Sequence, residues 1–425
     1  MLSATRMLLM VTRIGAFTCL VAGFATTSFA DEGMAAEEPR TVIVISLDGT
    51  MPSDLDDSEL VTLRALRGLG AAAERLRPSF PTNTFPNHMT LVTGVAPEVH
   101  GIVNNVFGDP ERGVFRYEND PTWSEVEPIW AIAARNGVVS AAYFWIGSEG
   151  PWRNGFGPRH WESFSSWVSE SKKVEKILAW LDLEDPAERP RLITSWFHGA
   201  DGAGHEHGPG SGPVRDALRR QDRALAKLVE GIAARGGFDA VTLLLVSDHG
   251  MAPVEGTVDL KAEFRRAGLD AKVRGGGGVA LVSLRGGPAA LDRAVSVASS
   301  LGLVAVRPGT RDSTLRLGNP RFGDLVAIAP VGIAITSGST LRGSHGYLPD
   351  EPAMGGLLIA VGRGISAGSR LGVVRALDVA PTVLAWLGIA RPEWMEGRPI
   401  VGLASESALP ARKSRRPGTG ERDDR

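Results

Sequence analysis

Six residues with metal-ligating side chains and one threonine stand out because they fall in short motifs, most of them containing glycine. The six candidate ligands are Asp48, Asp201, His205, Asp248, His249 and His345. Carboxylates mixed with imidazoles suit zinc, and two sets of three such ligands suit a pair of ions. The threonine is Thr84 of Phe-Pro-Thr-Asn-Thr84-Phe-Pro-Asn-His88, and its hydroxyl is one that a metal ion can activate as a nucleophile. The pattern predicts a dinuclear phosphoryl-transfer site.

Each candidate ligand also has an ordinary structural explanation when it is taken alone. Asp48 lies before a glycine and could simply form a turn. Asp201 and His205 are four residues apart and could form an exposed pair on a helix. A lone histidine such as His345 usually finds its partners in the core or at the surface. We expect a shared metal site because the sequence supplies all of these ligand types together.

His207 is the main competitor of His205 as the partner of Asp201 in metal binding. We favour His205, because a turn through Asp-Gly-Ala-Gly at 201–204 would bring it back toward Asp201. Other histidines beside the motifs are expected to orient ligands from a second layer; they are His88, His100 and His198. His160 is expected to be structural or to line the substrate site.

Thr84 is also a candidate helix N-cap, since threonine is favoured there and Pro86 suits the first helical turn. The two roles are compatible, because a helix N-terminus offers N–H groups and a positive dipole to a phosphate. Asn105 of Val-Asn-Asn105 could donate an amide hydrogen bond to a phosphoryl oxygen. Asn104 is its neighbouring competitor, and either asparagine could be an ordinary loop residue.

The rest of the sequence predicts an α/β fold. Hydrophobic residues make up 43% of the 425 residues, which supplies a large core, and the net charge of −2 gives no reason to expect binding to a nucleic-acid duplex. Apolar strands alternate with helical patterns, which favours a doubly wound, mostly parallel sheet with helices on both faces. Strands are predicted at 41–47, 138–145, 191–197, 242–246 and 356–361, and helices at 60–74, 171–183, 213–235 and 374–387. The candidate ligands follow these strands, at the edge where open α/β sheets bind ligands.

The catalytic domain is predicted to span residues 31–404, with a small α+β insertion at about 254–340. A basic start, an apolar run at 14–24 and small residues before Asp31 predict a signal peptide over 1–30, cleaved after Ala30. The expected location is periplasmic or secreted, without a stable membrane anchor after cleavage, because the run is too short for a span. Cys19 is the only cysteine and lies in that peptide, so thiolate chemistry is excluded from the mature chain. The tail at 405–425 is polar and predicted to be disordered.

Taken in order, these motifs resemble the nucleotide pyrophosphatase/phosphodiesterase family of the alkaline phosphatase superfamily. The resemblance covers about residues 41–400 and rests on Asp48-Gly, the Thr84 motif, Leu91-Val-Thr-Gly, Glu98-Val-His-Gly-Ile-Val-Asn-Asn105, Asp201-x-x-Gly-His205, Ser247-Asp-His-Gly-Met251, His345-Gly-Tyr and Leu377-Asp-Val-Ala-Pro-Thr-Val-Leu. It implies an alkaline-phosphatase-like fold with two zinc ions per chain.

The resemblance also implies a role for each matching residue. Asp201, His205 and His345 would hold the first zinc, and Asp48, Asp248 and His249 the second, with the Thr84 hydroxyl also on it. Thr84 would attack phosphorus and form a covalent intermediate, and Asn105 would steady the oxygen that gains charge.

The expected substrate is a small nucleotide or phosphodiester, cleaved to a nucleoside monophosphate. Phe85 and Trp196 match positions where the family lines the nucleotide base, and Trp161 is a further candidate wall of the pocket. Trp196 replaces the more usual tyrosine, and Trp145-Ile146 lacks the usual proline. Alternatives are a phospholipase-C-like or glycerophosphodiester hydrolase at the same site, or a non-catalytic, zinc-stabilised binding protein. The sequence does not indicate an oligomeric state.

Overall fold

The computed structural model describes residues 40–309, 315–338 and 340–404. The predicted signal peptide and the predicted polar tail lie outside these residues. Within them, every helix is too short or too polar to cross a lipid bilayer.

The described residues form eighteen strands, which we number in chain order. They are β1 Thr41–Leu47, β2 Ala71–Arg77, β3 Val106–Asp109, β4 Gly113–Arg116, β5 Ser140–Tyr143, β6 His160–Glu162, β7 Leu192–Phe197, β8 Val241–Val246, β9 Ala252–Pro253, β10 Gly256–Val258, β11 Ala271–Gly276, β12 Val279–Leu284, β13 Val304–Val306, β14 Leu325–Ile328, β15 Ile333–Ile335, β16 Gly343–Ser344, β17 Leu358–Val361 and β18 Ser369–Arg375.

Ten α-helices accompany the strands in the described part of the chain. They are α1 Val61–Leu69, α2 Thr84–Thr93, α3 Pro97–His100, α4 Ile129–Arg135, α5 Glu170–Leu181, α6 Gly199–His207, α7 Gly212–Ala233, α8 Leu260–Arg266, α9 Gly287–Ser300 and α10 Val379–Trp386.

The central sheet has eight strands in the order β18-β2-β17-β8-β1-β7-β5-β6. All neighbours run parallel except β17, which is antiparallel to both β2 and β8. Alternate side chains of β1 enter two different cores: Val42 and Val44 face one, and Ile43 and Ile45 the other. Helices α2, α4 and α10 contribute to the first core, and α1, α5 and α7 to the second. The predicted doubly wound α/β fold is therefore confirmed.

A second, four-stranded antiparallel sheet, in the order β11-β12-β14-β13, forms between β10 and β15 of the chain. Helices α8 and α9 cover it around a third core that includes Phe264 and Val282. A short two-stranded pairing between β9 and β16 lies beside it. The four-stranded sheet and its two helices fall inside the region 254–340 that was predicted to be an insertion.

Two sequence predictions are wrong at their ends. The helix predicted at 60–74 stops at Leu69, because Gly70 turns into extended backbone and residues 71–77 pair with β17 and β18. A Cβ at Gly70 would lie 2.0 Å from the carbonyl oxygen of Ala360. The helix predicted at 374–387 begins only at Val379, because Val374 belongs to β18, a strand that the sequence pattern did not predict. In both places sheet pairing outweighs local helix propensity.

Candidate metal centre and active site

Neighbouring parallel strands place the first group of ligands. β1 pairs in register with β8, Ser46 opposite Val246, so Asp48 and Asp248 emerge at the same edge. His249 follows directly, and its Nε2 lies 3.1 Å from Asp248 Oδ2 and 3.6 Å from Asp48 Oδ1. All three side chains are buried. The sheet alone therefore brings together three of the predicted ligands.

The second group comes from a helix and a distant loop. Asp201 and His205 lie one turn apart on α6, with His205 Nε2 3.5 Å from Asp201 Oδ2. His345 Nε2 lies 3.1 Å from His205 Nε2 and 3.7 Å from Asp201 Oδ1. The turn expected at 201–204 is wrong, since helical spacing brings the pair together. His207 is exposed and lies 3.7 Å from the carboxylate of Glu206.

The two groups adjoin through a pair of histidines. The imidazole rings of His249 and His345 stack with centroids 3.8 Å apart. Ligand atoms of Asp201, His249 and His345 lie within 4.8 Å of one another, and so do those of Asp48, Asp248 and His249. All six predicted ligands therefore border one continuous space.

Unpartnered carboxylate oxygens indicate that this space suits cations. Asp48 Oδ1, Asp201 Oδ1 and Asp248 Oδ2 are buried and have no hydrogen-bond donor. Buried polar atoms in native proteins nearly always have partners, and an oxygen facing imidazole nitrogens is a typical ligand for a divalent metal ion. The donor set of three carboxylates and three histidines fits zinc.

The Nδ1 atom of each of the three candidate histidine ligands lies close to an oxygen acceptor of the protein. His205 Nδ1 lies 2.9 Å from the carbonyl oxygen of Gly343, and His249 Nδ1 lies 2.9 Å from that of Gly250. His345 Nδ1 lies 2.9 Å from Asn83 Oδ1. An oxygen acceptor requires a proton on Nδ1, so each Nε2 is left with a lone pair directed at the shared space.

Burial and neighbouring charges shift the pKa values of several residues in the cluster. Burial, followed by the nearby charges of Asp248 and Asp201, raises the pKa of Asp48 well above its usual range. Burial also raises the pKa of Asp248, but His249 and His88 outweigh it and hold that pKa well below its usual range. Burial and the neighbouring histidines His249 and His205 lower the pKa of His345. A bound divalent cation favours the ionised carboxylates and neutral imidazoles that coordination needs.

Thr84 opens helix α2 beside the buried ligands. Asn83 occupies the N-cap position and Thr84 is the first helical residue, so the prediction that Thr84 itself is the cap is wrong. Its Oγ1 lies 3.2 Å from His249 Nε2. The helix N-terminus supplies the Thr84 N–H and a positive dipole at this point, whereas the Phe85 N–H donates to Asn105 Oδ1 and Pro86 has no N–H. His88, one turn later, places Nδ1 2.9 Å from the Thr84 carbonyl oxygen and 3.3 Å from Asp248 Oδ2.

The two neighbouring asparagines have different surroundings. Asn105 accepts a hydrogen bond from the Phe85 backbone N–H at 2.9 Å, which leaves its amide NH₂ as the group that can donate to a substrate oxygen. Asn104 is fully buried and accepts from Asn83 Nδ2 and from the Asn105 N–H. Asn104 therefore organises the loop, whereas Asn105 lies next to Thr84.

Aromatic side chains surround the approach to Thr84. Trp196, at the end of β7, donates from Nε1 to Asp48 Oδ2 at 2.8 Å. Phe164 stacks on it with ring centroids 5.4 Å apart and is 40% exposed. Phe85 makes an edge contact with Tyr117 at 5.3 Å. Trp161 lies on the edge strand β6, 43% exposed, and among the described residues it has no ring contact with these side chains.

Phe164 and Tyr117 are the residues near the site that sequence reasoning missed. The Tyr117 N–H donates to the Asn105 carbonyl oxygen at 3.1 Å, and Tyr117 adopts a positive φ of 50°, an uncommon backbone conformation for a tyrosine. Phe164 could have been noticed only as one of several aromatic residues in a loop. Trp167, three residues after Phe164, is 94% exposed.

Comparisons with known proteins agree with the fold and with the motifs. The sequence model of the type I phosphodiesterase/nucleotide pyrophosphatase family matches residues 42–348. An uncharacterized pyrophosphatase/phosphodiesterase of Schizosaccharomyces pombe is 40% identical over 220 residues, which are 50% of this chain and 45% of that protein. Venom phosphodiesterase 2 of Crotalus adamanteus is 35% identical over 235 residues, 54% of this chain and 29% of that protein. The chain thus spans less than half the length of these relatives.

Solved structures extend the similarity over most of the chain. Murine ectonucleotide pyrophosphatase/phosphodiesterase 5 superposes with a TM-score of 0.77 at 25% identity, covering 83% of this chain and 96% of that one. An inactive threonine-to-alanine variant of the same murine protein, in complex with AMP, superposes with a TM-score of 0.76. Because the family match spans most of the chain, this protein belongs to the type I phosphodiesterase/nucleotide pyrophosphatase family.

Proposed function

We propose that this protein is a two-zinc phosphodiesterase and nucleotide pyrophosphatase that uses Thr84 as its nucleophile. The observation that carries the proposal is the position of Thr84 Oγ1, 3.2 Å from His249 Nε2, in a cluster with unpartnered carboxylate oxygens. A hydroxyl at a helix N-terminus beside a cation site is placed for attack on a phosphoryl group.

Asp48, Asp248 and His249 would hold one zinc ion together with Thr84, and Asp201, His205 and His345 the other. Two such ions would lower the pKa of bound hydroxyl groups and neutralise charge on the phosphoryl oxygens. The chain's own groups then do the remaining work. Asn105 and the Thr84 backbone N–H would donate hydrogen bonds to the oxygen that gains charge.

The reaction proceeds in two displacements. The Thr84 oxygen forms a bond to phosphorus as the bond to the leaving group breaks, and the hydroxyl proton leaves with the departing group. A nucleotide is then esterified to Thr84. Water then forms a new bond to phosphorus, the bond to Thr84 breaks, and the hydroxyl regains its proton. The products are a nucleoside monophosphate and the leaving group, such as pyrophosphate or an alcohol.

The aromatic side chains support a nucleoside as the part of the substrate that is recognised. Phe164 and Trp196 form a stacked wall, and the exposed ring of Tyr117, packed edge-on against the buried Phe85, forms another aromatic surface beside Asn105. Stacking of a base on such side chains contributes about 1–3 kcal/mol. The AMP complex of the murine relative is consistent with this choice. We further propose that the chain acts in the periplasm or outside the cell after cleavage following Ala30.

A substrate panel tests the proposal. Purified protein should hydrolyse nitrophenyl thymidine monophosphate at least about a hundredfold better in kcat/KM than nitrophenyl phosphate, about 2.7 kcal/mol of barrier. Chelation should abolish turnover and zinc should restore it, with about two ions per chain. Faster hydrolysis of lysophosphatidylcholine than of any nucleotide would show that the substrate is a lipid and not a nucleotide. Zinc binding without turnover of any diester would show a binding protein instead of an enzyme.

A further inference from the structure

The four-stranded sheet of the insertion touches the metal centre through a bend of four glycines. The bend, Gly275–Gly278, joins β11 to β12 and is defined here as the glycine bend. Its backbone is tied to the loop that carries a predicted metal ligand, since the Gly278 N–H donates to the His345 carbonyl oxygen at 2.7 Å. Exchanged hydrogen bonds between Gly277 and Ile335, at 2.9 and 2.8 Å, hold the bend on its other side.

Side chains are excluded from this contact by backbone packing. A Cβ at Gly277, whose φ is +69°, would lie 2.5 Å from Ser344 Oγ and 2.9 Å from the His345 carbonyl oxygen. A Cβ at Gly278 would lie 2.5 Å from the backbone of Gly346 and from the backbone nitrogen of Tyr347. Neither position can accept alanine unless the His345 loop moves. The approach is therefore as close as two backbones allow.

The same bend reaches the other side of the site through Asn104. A Cβ at Gly275 would lie 2.6 Å from Asn104 Nδ2. Asn104 accepts hydrogen bonds from Asn83 and from the Asn105 N–H, and Asn83 in turn contacts His345 Nδ1. The bend thus contacts the His345 loop directly and the Asn105 loop through one asparagine.

We infer that the glycine bend is a positioning element of the active site, which sets where the His345 imidazole lies in the metal centre. The inference rests on the proposed metal function, because it assigns the bend to the ion that His345 would hold. It also gives the insertion a role in the site, since the four-stranded sheet holds the bend against the His345 loop. Groups that orient a metal ligand from behind typically change metal affinity by about 10–100-fold.

Glycine-to-alanine variants test this inference with a matched control. Gly277→Ala and Gly278→Ala should each weaken the more weakly held of the two zinc ions at least tenfold, measured by competition with a chromogenic chelator. The control is Gly302→Ala, because Gly302 also has a positive φ, +77°, but has no neighbour within 4 Å of a Cβ. Thermal unfolding of the metal-free proteins should show a loss for both variants, because both strain the backbone, and the loss in Gly302→Ala measures that strain without the contact to the His345 loop.

A second substitution makes the test specific. Ser344→Ala removes the hydroxyl that a Cβ at Gly277 would strike, so the double variant Gly277→Ala/Ser344→Ala should regain part of the zinc affinity. Wild-type affinity in both glycine variants would overturn the inference, as would an equal loss in Gly302→Ala. Failure of both glycine variants to fold would also overturn it, by assigning the bend to stability alone. If the wild-type protein binds no zinc, it is the proposed function that fails.

Discussion

The two halves of the metal centre are built in different ways. The buried half, Asp48, Asp248 and His249, stands on adjacent strands, and its side chains are at most 2% exposed. The open half, Asp201, His205 and His345, comes from a helix and a distant loop, with His205 30% exposed and Asp201 17% exposed. Strand register sets the buried half, whereas the open half depends on how α6 packs against the loop that carries His345. We therefore expect the open half to hold its ion less tightly.

The largest effect is expected from removing the nucleophile, which lies on the side of the buried half. Thr84→Ala should lower kcat by about a thousandfold or more, roughly 4 kcal/mol of barrier, while zinc content stays unchanged. Thr84→Ser should retain a measurable fraction, because it keeps the hydroxyl. The measurement is steady-state turnover of a nucleotide diester. A loss in kcat of less than about tenfold would show that Thr84 has only a structural role, as the first residue of a helix.

Removing a ligand from the open half tests the difference between the two halves directly. His205→Ala should weaken one of two zinc ions by more than about a hundredfold, since a direct ligand matters more than the groups behind it. His207→Ala is the matched control, because His207 lies on the same helix but is exposed and away from the cluster. Zinc per chain after dialysis should fall from two to one in the first variant only. The reverse result would make His207 the ligand.

Trp196 connects the buried half to the aromatic wall. Its N–H and the wall itself can be tested with separate variants. Trp196→Phe keeps an aromatic surface but loses the hydrogen bond to Asp48, and it should weaken zinc binding by about tenfold. Phe164→Ala should instead raise KM for nucleotides with little change in kcat, as loss of uniform binding does. Unchanged zinc affinity in Trp196→Phe would show that Asp48 needs no such support.

The buried Lys173 beneath the aromatic wall should affect the stability of the fold and not the chemistry of the site. Its ammonium donates to the Trp196 carbonyl oxygen at 2.6 Å, with His198 and Glu170 as its charged or titratable neighbours. Burial lowers the pKa of Lys173 from 10.5 to about 8. Between these values the unfolded chain binds more protons than the folded one, so stability rises with pH in this window.

Lys173→Met isolates this contribution. From pH 8 to 10.5, the free energy of unfolding of the wild type should rise relative to the variant, by at most about 1.4 kcal/mol per pH unit. Below pH 8 the difference should be constant. Urea unfolding at several pH values measures it. A wild-type advantage that shrinks over the window would contradict the lowered pKa.

Much of the fold could be predicted because strand signals are local. The run at Thr41–Leu47 consists mostly of apolar, β-branched residues, which predicts a buried parallel strand, and β1 has those bounds. Residues 71–77 could not be assigned in this way. Their alanines favour a helix locally, but pairing with β17 and β18 decides their conformation.

The candidate site shows the same contrast between features that local sequence predicts and features that depend on tertiary packing. The sequence by itself determined the family and predicted the ligands and the nucleophile, because the motifs contain the side chains that carry this chemistry. Only the tertiary structure decided that Asp201 and His205 meet across a helical turn, that Trp196 binds Asp48, and that Phe164 forms the wall. The contact of the glycine bend with His345 also became evident only from the tertiary structure, since residues far apart in sequence meet only when separate elements pack.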